Sequence, residues 1–203
     1  FISAVANLPS LVLEGVFTHF PSSDDDPEFT HSQIGRFLGL LSRLEGKGVS
    51  VPLRHAANSG AVLGVEDSLK APLNLVRPGI MIYGLRPAAG VAPDADLRPV
   101  MSFKSRIAQI RELPAGHPVS YGRTYVTERP TRVGVVPVGY GHGYSLQLSN
   151  RGEVLVRGVK APVVGRVTMD VTMVSLEDVE NAAVGDEVVL FGRQGEAGIS
   201  VDE

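Results

Sequence analysis

Apolar residues follow two different rhythms along this chain, and the change comes near residue 90. In the first part, short apolar runs alternate with helix-spaced positions. Leu11 to His19 (LVLEGVFTH) is an apolar, β-branched and aromatic stretch that predicts a buried strand. Downstream, Ile34, Phe37, Leu38 and Leu41 recur at i, i+3, i+4 and i+7, which is one face of a helix. Asp26 is placed to cap that helix, Pro27 and Glu28 suit its first turn, and Gly46 or Gly48 suits its end. Val51 to His55 predicts a short strand, Ala56 to Leu63 a helical stretch, and Leu73 to Tyr83 a further strand and turn. That alternation is the signature of βαβ units with parallel strands.

The second rhythm follows a small-residue linker, Pro87 to Asp96, and is almost wholly strand-like. Met101 to Arg111, Arg132 to Val138, Glu153 to Val156, Lys160 to Val164, Val171 to Leu176 and Glu187 to Phe191 predict strands, with only Leu176 to Ala183 suited to a helical turn. Many short strands with Gly and Pro between them predict a small β-barrel. The expected organisation is therefore an α/β region over residues 1–90 and an all-β region over 91–203. At the ends, Phe1 to Leu8 has helix-like apolar spacing and is stopped by Pro9, while Ser200-Val-Asp-Glu203 is a capping box that announces a helix to follow. These ends lead us to expect an internal piece of a longer polypeptide.

Composition narrows the classes. Hydrophobic residues are 43% and charged residues 20% of 203, a globular composition rather than a disordered one. No run approaches the apolar length of a membrane span, and no basic n-region precedes an apolar stretch, so neither a membrane partner nor a signal peptide is expected. The absence of Cys removes disulfides, thiolate zinc sites and cysteine nucleophiles and fits a reducing compartment, the cytoplasm by default. A net charge of −3 disfavours nucleic-acid binding, which rests on neutralising phosphates.

Single candidates carry little alone. His19 at a strand end has an ordinary reading as a satisfied histidine beside a catalytic one. The run Asp24-Asp25-Asp26 with nearby His31 fits no familiar metal-ligand spacing and is explained by a helix start, so no metal is expected. Tyr121, Tyr125, Tyr140 and Tyr144, four of the five tyrosines, suit aromatic packing in a β-barrel.

Their order along the chain changes this reading. Thr18-His19-Phe20, His55-Ala-Ala-Asn-Ser59, Arg77-Pro-Gly-Ile80 with Tyr83-Gly84, Val119-Ser-Tyr121-Gly-Arg-Thr-Tyr125, Gly139-Tyr140 with Gly143-Tyr144, and Gly165-Arg-Val-Thr-Met169-Asp170 together resemble alanine racemase, of the fold-type III pyridoxal phosphate enzymes. The resemblance extends over essentially the whole chain. It implies the later strands of an (α/β)8 TIM-type barrel followed by a β-domain. It also implies a homodimer with shared active sites, and a parent enzyme that interconverts L- and D-alanine and so supplies D-alanine for cell-wall peptidoglycan. An incomplete barrel on its own is expected to leave edge strands and an open core.

The resemblance also implies roles. Tyr121 matches the family's tyrosine base. A phenol ordinarily loses its proton near pH 10, so it needs neighbouring positive charge or hydrogen bonds to act at pH 7. His19 and Arg77 match residues that connect this tyrosine to the cofactor, with Arg77 facing the pyridine nitrogen as a permanent donor. Ser59 and the backbone N–H groups of Gly79 and Ile80 match phosphate ligands, a hydroxyl and exposed amides being suited to an anion. Met169 matches a position beside the substrate carboxylate, and Tyr140 one in the entrance corridor.

Departures limit the match. The family's second base is a lysine that also bonds covalently to the cofactor, and Lys47, Lys70, Lys104 and Lys160 lie in no such motif. The 203 residues alone are therefore expected to be inactive. A broad-specificity amino-acid racemase of the same fold and a non-catalytic pyridoxal phosphate binding or dimerisation module are the alternative readings.

Overall fold

The computed structural model describes residues 1–201, which form two compact units, Phe1–Val100 and Met101 onward. The proposed capping box from Ser200 to Glu203 lies partly outside the described residues.

The first unit contains α1 (Ile2–Ala6), β1 (Gly15–Phe17), α2 (Pro27–Glu45), β2 (Leu53–His55) and α3 (Ser59–Gly64). β1 and β2 pair in parallel, Gly15 against Leu53 and Phe17 against His55, with α2 as the crossover between them. The helix starts where its chemistry asks: the Asp26 side chain accepts a 2.9 Å hydrogen bond from Phe29 N, and Pro27 opens the first turn without losing a needed donor. Ile34, Phe37 and Leu41 are buried on one face, packed with Phe20, Ala56, Ala57, Ala61, Val65 and Leu73. α3 is capped by Asn58, whose Oδ1 accepts from Ala61 N at 3.0 Å.

Two expectations for this unit are corrected. The strand over Leu11 to His19 is only three residues long, because only Gly15–Phe17 find a paired neighbour; Leu11 and Val12 are exposed. The strand over Leu73 to Tyr83 is a single parallel bridge from Leu75 to His55, followed by a 3₁₀ turn over Ile80–Tyr83. A side chain takes over part of the ladder there: Asn74 Oδ1 accepts from Arg54 N and its Nδ2 donates to Pro52 O, while Pro78 lacks a donor of its own. The linker after Arg86 is pinned rather than loose, since the Arg86 guanidinium donates to the carbonyls of Ala92, Pro93 and Ala95.

The second unit is almost wholly β. In chain order it has β3 (Phe103–Arg106), β4 (Gln109–Leu113), β5 (Pro118–Val119), β6 (Tyr125–Val126), β7 (Thr131–Val136), β8 (Glu153–Val156), β9 (Val159–Pro162), β10 (Thr172–Ser175), β11 (Glu187–Gln194) and β12 (Ala197–Ile199). The predicted strand over Met101 to Arg111 is broken at Ile107, where its N–H turns to Asp186 O and the next, from Ala108, turns to Val135 O. The break changes the partner: β3 pairs with β11, and β4 with β7. Pairing then continues from β11 to β8 and β9, across a Val163–Val174 bridge to β10, and on to β7. The path returns to the bent strand on which it began. Ile107, Val136, Val154, Val156, Val174, Leu176 and Val188, each 1% exposed or less, belong to the core of this unit. Tyr144 belongs to it too; burial pushes its phenol up to about 12, and its hydroxyl finds no partner among the described residues. The expected helical turn over Leu176 to Ala183 is a succession of turns instead.

Candidate functional site

The first group of candidate side chains gathers where β1 and β2 end. Parallel pairing sets Phe17 beside His55, and their rings stack with centroids 5.3 Å apart. His19 follows two residues after β1. Arg77 reaches this group from the segment after Leu75: Nη1 lies 2.7 Å from His55 Nδ1, Nη2 lies 3.3 Å from His19 Nδ1, and Nη2 also donates to the carbonyls of Thr18 and Ala56. The guanidinium carbon stands 5.0 Å from the centre of the Phe17 ring, a cation–π contact. Burial draws the Arg77 guanidinium below its ordinary range, and burial followed by the Arg77 charge draws His55 below 6.5. The His55 shift keeps that histidine neutral beside the cation.

His19 is held from the other side as well. Gln33, on α2, donates from Nε2 to Thr18 Oγ1 and to His19 O, each at 2.8 Å. Sequence reasoning assigned no role to His55, Phe17 or Gln33. The signal for the first two lay in strand pairing: parallel neighbours at matched positions bring their side chains to one face.

A second group stands at the start of α3. Ser59 Oγ accepts from Gly79 N at 2.8 Å and from Met81 N at 3.4 Å, which leaves the serine proton available as a donor. Ile80 N opens a 3₁₀ turn and has no intrachain partner among the described residues. The serine proton and the Ile80 amide are donors of the kind a phosphate monoester accepts from, the Gly79 amide being given to Ser59 Oγ and the Asp24 carboxylate lying against Gly60, the next residue along. The structure therefore brings Ser59, Gly79 and Ile80 together, with a hydroxyl and an amide suited to a phosphate monoester.

In the second unit Tyr121, Tyr140 and Met169 line one recess with Leu146, Arg166, Val167, Thr168 and Asp170. All three are open to solvent, Tyr121 at 72% exposure. Tyr140 and Met169 meet because their segments are sewn together: Tyr140 N donates to Thr168 O, and Gly141 N to Met169 O, each at 2.9 Å. Gly139 permits this approach, since a Cβ there would collide with the carbonyl of Thr168. Thus the four tyrosines separate by role, Tyr144 and the half-buried Tyr125 packing in cores while Tyr121 and Tyr140 face the recess. Arg166 and Asp170 place one charge of each sign in the same recess, residues to which sequence reasoning gave no role.

Comparison with known proteins agrees along the whole chain. A family model described as alanine racemase, N-terminal domain, matches residues 1–87, and one described as alanine racemase, C-terminal domain, matches residues 100–203. The chain is 46% identical over 203 residues to alanine racemase 2 of Caldanaerobacter subterraneus, covering 100% of this chain and 52% of the relative. It is 49% identical over 202 residues to an alanine racemase of Desulfosudis oleivorans, covering 98% and 51%. Among solved structures, the alanine racemase of Clostridium difficile 630 in complex with cycloserine superposes with a TM-score of 0.88 at 35% identity, over 97% of this chain and 52% of that one. The Bacillus anthracis enzyme with bound L-Ala-P gives 0.87 at 36%, over 98% and 51%. The chain thus spans about half the length of the relatives it matches. Two consecutive family models and this level of identity establish that the chain belongs to the alanine racemase family.

Proposed function

We propose that this chain works as part of an alanine racemase that interconverts L- and D-alanine with pyridoxal 5'-phosphate. The observation that carries the reading is the Arg77 cluster, in which one cation is held by His19, His55 and two carbonyls within the segment that also builds the Ser59, Gly79 and Ile80 anion cradle. Ser59 and the amides of Gly79 and Ile80 would hold the cofactor's phosphate, and Arg77 would donate to its ring nitrogen. When bound, the cofactor supplies an electron sink that acidifies the α-hydrogen of an attached amino acid.

The chain's own residues do the rest. Tyr121 takes or returns a proton on one face of the substrate, as a general base or acid whose phenol is open in the recess. His19 and Arg77 orient the ring-facing side of the site. The main chain at Met169 stands beside the substrate carboxylate, and Tyr140 limits what enters.

The finer architecture belongs to the same proposal. Residues 1–90 supply later strands of an (α/β)8 barrel, and residues 91–203 a β-domain. Phe17 at 61% and Val12 at 85% exposure are apolar surface of the kind further barrel strands would cover. The homodimer with shared active sites is supported by the openness of both candidate surfaces, and a cytoplasmic setting by the absence of Cys. None of Lys47, Lys70, Lys104 and Lys160 lies in a motif matching the family's cofactor lysine, so this chain alone is expected to bind the cofactor without a covalent link.

The test is turnover by a complete protein carrying these residues, with alanine, serine, lysine and arginine compared at equal concentration. Alanine should be racemised well ahead of the others. Comparable rates for serine, lysine or arginine would make it a broad-specificity racemase, and no turnover with cofactor bound would sink the reading.

A further inference from the structure

Ser120 joins the buried Val119 on β5 to the exposed Tyr121, and it does so in a backbone conformation that L residues avoid. Its φ is +64° and its ψ −177°, a region populated almost only by glycine. Glycine would hold this turn without strain, so a serine there requires contacts that hold the strained form in place. Those contacts are present on both sides of the turn. Ser120 Oγ donates to Arg166 O at 2.6 Å. Gly165, at φ +79°, lies so close that a Cβ on it would sit 2.8 Å from Ser120 Cβ and 2.8 Å from Val119 O. Asn150 closes the bracket: Oδ1 accepts from Gly165 N at 2.6 Å, and Nδ2 donates to Thr124 Oγ1 at 3.0 Å. The segment carrying Tyr121 is therefore tied at Ser120 and Thr124 to the loop from Gly165 to Arg166, whose Arg166 lines the Tyr121 recess.

We propose that Ser120 is a positioning residue for Tyr121, its hydroxyl holding a strained turn that aims the phenol into the recess. The functional weight of this inference rests on reading Tyr121 as a proton-transferring group. Its structural content does not.

The experiment labels the 203-residue chain with 3-fluorotyrosine and follows the five tyrosine resonances by fluorine NMR. Tyr121 is assigned by the line lost in Tyr121→Phe. Ser120→Gly removes the strain together with the hydroxyl, so the variant should melt no lower than the parent while the Tyr121 line shifts or broadens and the other lines stay. Ser120→Ala keeps the strain and loses the hydrogen bond, so it should melt lower and move the same line. An unmoved Tyr121 line in both variants would overturn the proposal, and so would equal movement of all five lines, which marks a general packing role. In a complete racemase Ser120→Gly should lower kcat by about tenfold or more with little change in KM, the pattern of a misaligned reacting group. If the line moves while Tyr121→Phe leaves turnover intact, the positioning stands and the function assigned to Tyr121 fails.

Discussion

Arg77 Nη1 lies 2.7 Å from His55 Nδ1, and because a guanidinium has donors only, that imidazole nitrogen is the acceptor. His55 is therefore neutral and carries its proton on Nε2. The same guanidinium stands 3.3 Å from His19 Nδ1, with the two Nη2 hydrogens directed to Thr18 O and Ala56 O. One arginine thus fixes the tautomer of the histidine at the end of β2.

Stability should follow from this constraint. The folded value of His55 is depressed below 6.5, so above that pH the group is neutral in both states and costs nothing. As pH falls below 6.5 and through the depressed value, the unfolded chain binds a proton that the folded one resists, and stability is lost. Urea denaturation at a series of pH values, compared with His55→Gln, should show the variant falling less steeply in that acid window. Parallel curves would mean that another group carries the acid sensitivity.

Tyr121→Phe in a complete enzyme should lower turnover by about 10²- to 10⁴-fold, the usual worth of a positioned acid or base. Exchange of the α-hydrogen with deuterated solvent should be lost from one enantiomer of alanine and persist from the other. Loss from both, together with loss of bound cofactor, would point to damaged structure.

Ser59→Ala removes one hydroxyl donor from the anion cradle and leaves the amides of Gly79 and Ile80. A hydrogen bond to a charged phosphate is worth about 1.5–3 kcal/mol, so cofactor affinity should fall by at least tenfold. Titration of pyridoxal 5'-phosphate by absorbance reads this directly, and an unchanged affinity would remove Ser59 from the site.

Leu176 is fully buried in the core of the second unit. Leu176→Ala should cost about 2–5 kcal/mol, as large-to-small core substitutions do. A shift in the urea midpoint measures it.

How much of this was legible beforehand depends on how local the cause was. The α2 start was readable because Asp26, Pro27 and the apolar spacing of Ile34, Phe37 and Leu41 all act within a few turns. The β8 strand was read at its observed bounds, because Glu153 to Val156 is followed by a tight turn at Arg157 and Gly158. Nothing local marks the break at Ile107, since its hydrogen bond goes to Asp186 and that of its neighbour to Val135. The missing strand after Leu73 has the same kind of cause, a side-chain substitute at Asn74 for main-chain pairing. In the candidate site, His19 and Arg77 were given roles by motif order, whereas His55 stood in the same series without one, because its role depends on Phe17 lying beside it in parallel register. Ser120 and Asn150 were invisible for a further reason: their backbone angles follow from contacts made across the fold.

The bend at Ile107 also sets an order of events during folding. β4 finds β7 within a short stretch of chain, but β3 waits for β11, and the Lys104–Glu187 ion pair across that seam joins residues 83 apart in sequence. Contacts of such long sequence separation form slowly. On a ribosome, the unpaired edge of Phe103–Arg106 emerges well before its partner and stays open for the whole interval, which makes this seam the place where a nascent chain is most exposed to wrong pairing.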